Sequence, residues 1–237
     1  LNTASTRAET LVKLPENVSG FDTNGGEGAY RYQWYPAKGE TATLMMEDNW
    51  PEMGDYDFND FVIYYRTQMI FFDGSNTEKD KYEADGIEFE ITFRAMGGYL
   101  PYRLGLQLDQ TSAKYIDKVI EINGNDLVKM ELQNPGEDAP AIFIFTGTDQ
   151  LRKQNNSGTF YNTEADHQIA ANDLVTIKYR LKMNCAGSSE KTQALWAAAT
   201  SENQNFFLQK EKNGGREIHL RGYEPTAYYS DSYAGEA

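Results

Sequence analysis

Between Glu47 and Asp60 the stretch EDNWPEMGDYDFND carries six carboxylates, and no lysine or arginine follows until Arg66. Asp55, Asp57 and Asn59 stand at alternate positions. Oxygen ligands so spaced converge when the backbone curls around a hard cation, and calcium takes about six to eight oxygens. Carboxylates about 4 Å apart repel by roughly 1–4 kcal/mol per pair at effective dielectrics of about 80 to 20. A divalent ion replaces that repulsion with coordination. An EF-hand would continue with Gly at its sixth position and Glu at its twelfth. Counted from Asp55, those positions hold Asp60 and Arg66, and the strand-like FVIYYR follows instead of a helix. The expected centre is therefore a loop-to-strand calcium site with candidate ligands Asp48, Asp55, Asp57, Asn59, Asp60 and Glu47. Trp50, Tyr56, Phe58 and Phe61 are expected to anchor the loop. The competing reading is a solvated turn whose Asp and Asn side chains cap backbone amides. Zinc is not expected, because His167 and His219 are isolated and Cys185, the sole thiol, is far from both.

Other chemistry finds less support. No G-x-S-x-G nucleophile elbow occurs. NGGEGAY lacks the Lys-Ser/Thr pair of a phosphate loop. Two carboxylates suffice for glycoside hydrolysis, but 36 acids supply suitably spaced pairs by chance. His219 alternates with Ile218 and Leu220, which predicts a half-exposed strand histidine. Cys185 reads as a small hydrophobe. The tyrosines of GYEPTAYYSDSY suit sugar stacking, and equally an edge or interface.

The elements that must position the acidic loop are strands. GIEFEITFRA sets Ile87, Phe89, Ile91 and Phe93 against Glu88, Glu90, Thr92 and Arg94, the period-two pattern of a half-buried strand. LVTIKYRLKM does the same with Val175, Ile177, Tyr179, Leu181 and Met183. YRLGLQLD alternates Leu104, Leu106 and Leu108. AIFIFTG reads as a strand buried on both faces, and YRYQWYP and NFFLQKE are further strands. FDGSN, MGGY, INGND and KNGG punctuate them. TSAKYIDKVIEI reads as a short helix or a strand, and KTQALWAAATS as a helical turn or more. Many strands without alternating long helices predict an all-β fold, an antiparallel β-sandwich of jelly-roll type with few short helices. The expected division is an irregular segment over 1–27, the sandwich over 28–226 and an irregular tail over 227–237.

The 237 residues are 40% hydrophobic, enough for a sizeable core, and carry a formal charge of -14. That charge opposes sequence-independent binding to nucleic acid and electrostatic docking on anionic lipid. With one cysteine no intrachain disulfide forms. No stretch reaches the roughly 18 apolar residues of a membrane helix. No signal peptide is visible, and the abrupt LNTASTRAET start leaves room for an export signal removed upstream.

MEDNWPEMGDYDFNDFVIYYR resembles the signature of the LruC domain, a DUF4842-like family of exported bacterial lipoproteins. GGYLPYRLGLQL, GTFYNTEAD and GGREIHLRGYEPT resemble further elements of that family in the same order, with Arg221 where the family usually has proline. The matches run from about residue 44 to 226. The resemblance implies a lipoprotein or secreted surface protein of a Gram-negative bacterium, at the outer membrane or in the periplasm. It also implies that a C-terminal portion of the family lies beyond this chain. It names no activity.

The resulting expectation is a non-catalytic, calcium-stabilised cell-surface domain engaged in adhesion or in binding a glycan or protein. A carbohydrate-binding module and a glycoside-active hydrolase are the alternatives. Membrane attachment would run only through a lipid anchor upstream of residue 1.

Overall fold

The computed structural model describes residues 22–23, 30–49, 54–72, 86–133, 135–154, 159–183, 189–210 and 216–228. Twelve strands are found among the described residues: β1 (Asp22–Thr23), β2 (Tyr30–Tyr35), β3 (Ala42–Met46), β4 (Phe61–Phe72), β5 (Gly86–Ala95), β6 (Arg103–Ser112), β7 (Ile116–Asn123), β8 (Lys129–Leu132), β9 (Pro140–Thr146), β10 (Thr176–Met183), β11 (Gln204–Gln209) and β12 (Glu217–His219). They form two antiparallel sheets. The first runs β1-β2-β4-β5-β10-β7, with β3 also on β4; the second runs β12-β11-β6-β9-β8. β4 is long enough to serve two neighbours along one edge. β2 pairs with it over residues 67–72 and β3 over residues 61–65. The chain is thus an all-β sandwich, as the alternation predicts.

The core follows from that alternation. Ile87, Phe89, Ile91 and Phe93 of β5 and Ile177, Tyr179, Leu181 and Met183 of β10 are buried. They meet Leu104, Leu106 and Leu108 of β6, Phe143 and Phe145 of β9, and Phe206 and Leu208 of β11 in one apolar cluster. Burying each large apolar side chain stabilises by about 1.5–3 kcal/mol, which explains how a chain without a disulfide holds two sheets together. The outer face of the first sheet is charged, and its charges pair across strands. Arg66 Nη2 lies 2.8 Å from Glu90 Oε2. Lys178 Nζ lies 2.6 Å from Glu88 Oε2, and Arg180 pairs with the other oxygen of the same carboxylate.

Two ambiguous segments resolve differently. Ala113–Tyr115 makes one 3-10 turn and Ile116–Asn123 is strand β7 on β10. Ser189–Ala199 forms helix α1, the α-helix among the described residues, with Ala194, Leu195 and Ala198 buried. Thr111 of β6 donates its hydroxyl to the Ala194 carbonyl at 3.1 Å and ties the helix to the second sheet. The sheet begins earlier than the sequence suggests: Asp22 and Thr23, inside the segment read as irregular, pair with Tyr32 and Arg31. Cys185 and Trp50 lie outside the described residues.

The outer face of the second sheet is not open. Ile142, Ile144 and Phe207 point away from the main core and are buried as a second small cluster, with Tyr228 packed against it. Residues 224–228 lie against this face as a strap: Tyr228 packs on the cluster, and Glu224 and Thr226 are hydrogen-bonded to Asn205 and Glu217.

Candidate metal centre

The acidic loop joins β3 to β4, two neighbouring antiparallel strands, so its two ends are fixed side by side. Between them the backbone leaves extended geometry. Tyr56 and Phe58 have φ of 58° and 55°, left-handed values that cost a non-glycine residue about 1–2 kcal/mol each. In an extended strand Asp55 and Asp57 would sit about 6.6 Å apart along one face, too far to share an ion. The left-handed residues curl the chain. Carboxylate oxygens of Glu47, Asp55 and Asp57 then come within 4.8 Å of one another.

The six candidate ligands divide. Glu47 enters from the end of β3. Its Oε1 accepts the Phe58 N–H at 2.6 Å, which locks the loop onto the strand. Its Oε2 is buried and accepts no hydrogen bond from the described residues. Burial pushes the Glu47 carboxyl up from its ordinary range, and the carboxylates of Asp60, Asp55 and Asp57 push further, against the opposing Phe58 hydrogen bond. A half-buried carboxylate oxygen among like charges is a costly arrangement for protein alone.

Asp48 and Asp60 face elsewhere. Asp48 is 3% exposed, and its Oδ2 accepts the Leu100 N–H at 3.1 Å. Asp60 Oδ2 accepts the Asp48 N–H at 2.9 Å. These two acids cap backbone amides, the role of the competing turn reading, while Glu47, Asp55 and Asp57 converge. Asn59 supports a ligand: its backbone N–H donates to Asp57 Oδ1 at 3.2 Å and its side-chain amide donates to Asp57 Oδ2. Phe61 is buried and contacts Phe93 edge-on, so it anchors the loop end. Tyr56 is 59% exposed and anchors nothing, a correction to the expectation from its aromatic character.

The segment 96–102 braces the loop from behind, a feature the sequence showed only as the turn signal MGGY. Gly97 N–H donates to Asn59 O at 2.9 Å and Gly98 N–H to Asp60 O at 3.3 Å. A Cβ on Gly97 would stand 1.9 Å from Asn59 Oδ1, and one on Gly98 2.1 Å from Asp48 Oδ2. Only glycines permit this approach.

The second polar centre is one the sequence reading missed. His219 is expected to be half exposed, yet its side chain is 7% exposed and that of Glu217 is 0% exposed. The strap covers the face that the local alternation assigns to solvent. His219 Nδ1 donates to Asn205 Oδ1 at 2.8 Å, and Nε2 lies 3.0 Å from Glu217 Oε2. The His219 ring stacks on Phe207. Glu217 accepts the Thr226 N–H at 2.9 Å and the Thr226 hydroxyl at 2.7 Å. Asn205 donates to Glu224 O at 3.1 Å. Nearby, burial raises the Asp109 carboxyl, against hydrogen bonds from Gln107 and Asn205. Asn205 and Glu217 thereby tie Glu224 and Thr226 of the strap to β11 and β12.

The three carboxylates of the loop suit a hard cation. They supply oxygens only, from half-buried Glu47 and exposed Asp55 and Asp57, and together they offer at most six oxygens to an ion that takes about six to eight. Any remaining coordination positions would go to backbone carbonyls, water or a ligand hydroxyl.

Residues 83–237 match the family described as "Domain of unknown function (DUF4842)". The acidic loop lies before the matched residues, whereas the bracing glycines and the strap lie within them. No curated protein matches the chain. A solved structure described as "Putative lipoprotein from Bacteroides ovatus" superposes with a TM-score of 0.58 at 21% identity. The alignment covers 88% of this chain and 58% of that one, so the chain spans under two thirds of that protein. At this identity the likeness is one of fold.

Proposed function

The chain belongs to the DUF4842 family of unknown function, and from that premise we propose that it is a non-catalytic, calcium-stabilised domain of an exported protein, held at a membrane by a lipid anchor and serving adhesion or ligand binding at the cell surface. The observation that carries the calcium reading is the Glu47 Oε2 atom. It is buried, accepts no hydrogen bond from the described residues and belongs to the group formed with Asp55 and Asp57. A coordinated cation supplies the partner this atom lacks and offsets the repulsion among the three charges. The anchor and the exported location draw support from the lipoprotein description of the Bacteroides ovatus structure. No helix among the described residues is long and apolar enough to cross a membrane, which is compatible with attachment by lipid.

When bound, the ion supplies charge neutralisation and fixed loop geometry. Glu47 would hold it from the strand side and Asp55 and Asp57 from the solvent side. Asn59 orients Asp57, and the glycine segment fixes Asp48 and Asp60 so that the loop cannot relax inward. Chelation tests this role. Millimolar EDTA is expected to lower the melting temperature by several degrees, and added calcium to restore it. An unchanged melting temperature refutes the reading.

A further inference from the structure

Beside the loop stands an aromatic pair that the core does not use. Tyr99 is 79% exposed, the most exposed large hydrophobic side chain among the described residues. Its ring is nevertheless held: Phe160 meets it edge-on, with centroids 4.9 Å apart and planes at 78°. The backbone under each ring is also pinned. Tyr99 sits between Gly98, which donates to Asp60 O, and Leu100, which donates to Asp48 Oδ2. Phe160 precedes Tyr161, which exchanges two backbone hydrogen bonds of 2.9 and 3.1 Å with Met96. A lone exposed aromatic is ordinary. Two rings packed against each other on hydrogen-bonded backbone are pre-organised for contact.

We propose that Tyr99 and Phe160 form a stacking platform for the ring of a neutral saccharide. Edge-on packing leaves a face of the Tyr99 ring free, and that face carries the negative side of the aromatic quadrupole. The C–H face of a hexose is its complement. The patch is two rings wide, far below the roughly 1,200 Å² of a stable protein interface. A chain of charge -14 repels acidic ligands. A neutral sugar meets each of these conditions. The inference names a ligand class for the binding role proposed above and rests on that role, but the stacking itself needs no ion.

The test titrates the whole chain with neutral β-glucan, α-mannan and xylan oligosaccharides, and with an acidic polyuronide for comparison. Saturation-transfer NMR and calorimetry are run with calcium and with EDTA. A neutral oligosaccharide is expected to receive saturation at its ring C–H protons. Tyr99→Ala and Phe160→Ala are each expected to weaken binding about tenfold, the order that one aromatic face is worth. Tyr99→Ala should keep its melting temperature and its response to calcium. Should Phe160→Ala unfold, Tyr99→Ser serves as the second variant. Absence of binding by every neutral oligosaccharide at millimolar concentration overturns the proposal, as does binding that the Tyr99 variants leave unchanged, or binding of the polyuronide alone. Sugar binding that survives in a chain without any calcium response sustains this inference and refutes the ion.

Discussion

Replacing Glu47 with glutamine keeps an acceptor for the Phe58 N–H but deletes one of the three converging charges. Oxygens of Glu47, Asp55 and Asp57 lie within 4.8 Å of one another. At that separation each pair costs about 0.9 kcal/mol at the dielectric of water and about 3.5 kcal/mol at an effective value of about 20. Asp55 and Asp57 are exposed, so the lower figure applies, and the two pairs involving Glu47 together cost about 2 kcal/mol. Without metal, Glu47→Gln is therefore expected to be more stable than the wild type by about 1–2 kcal/mol. For a domain of this size that raises the melting temperature by about 2–8 °C. With calcium at about 100 times its dissociation constant, the wild type gains about 2.7 kcal/mol, or roughly 5–10 °C, and the variant gains far less. The order of the two melting temperatures thus inverts between EDTA and calcium, which differential scanning calorimetry reads directly. A residue with a merely structural role would lower stability in both buffers. If Glu47→Gln melts below the wild type in EDTA as well, or keeps the full calcium response, the coordination argument fails.

Two other perturbations probe the surroundings. Gly98→Ala drives a Cβ to 2.1 Å from the buried Asp48 carboxylate. It is expected to cost about 1–3 kcal/mol and to weaken calcium binding, measured by melting and by calcium titration; an unperturbed loop would show that the glycine brace is dispensable. Glu88→Gln tests the charged outer face. Burial alone would raise the Glu88 carboxyl, but Lys178 and Arg180 outweigh it and hold it below its ordinary value of 4.5. A lowered carboxyl stabilises the fold above the unfolded value and loses that contribution as pH falls through the folded one. Urea unfolding should show a deficit of about 1–3 kcal/mol for Glu88→Gln at pH 7, narrowing as the pH falls below 4.5. A deficit independent of pH would contradict the ion-pair account.

The strands were legible where one face meets the core and the other meets water, as in β5 and β10, because burial then writes a period of two into the residues. That logic fails on the second sheet. His219 alternates with apolar neighbours like a solvent-facing residue, yet a strap from later in the chain buries it. Local periodicity carries no information about a distant covering segment. The pairing of Asp55 with Asp57 was legible as alternate acids, and the approach of Glu47 from its place at the end of the preceding strand. The diversion of Asp48 and Asp60 to backbone amides was not, since a carboxylate facing an ion and one capping an N–H share the same spacing. The left-handed Tyr56 and Phe58 had no glycine or asparagine to announce them. The bracing role of Gly97 and Gly98 depends on a segment about 40 residues away from the loop. The reading of Ala113–Asn123 stayed open because Ile122 is an exposed apolar residue that blurs the strand pattern.

The place of β11 has a consequence for how the chain matures. β6 is made early and pairs on one side with β9, but its other edge waits for residues 204–209, and the outer surface waits for Thr226 to reach Glu217. A growing polypeptide cannot close the second layer from its leading end, so most of it must be available before the sandwich locks. Closing the second layer is thus a non-local step, joining segments about 100 residues apart along the chain.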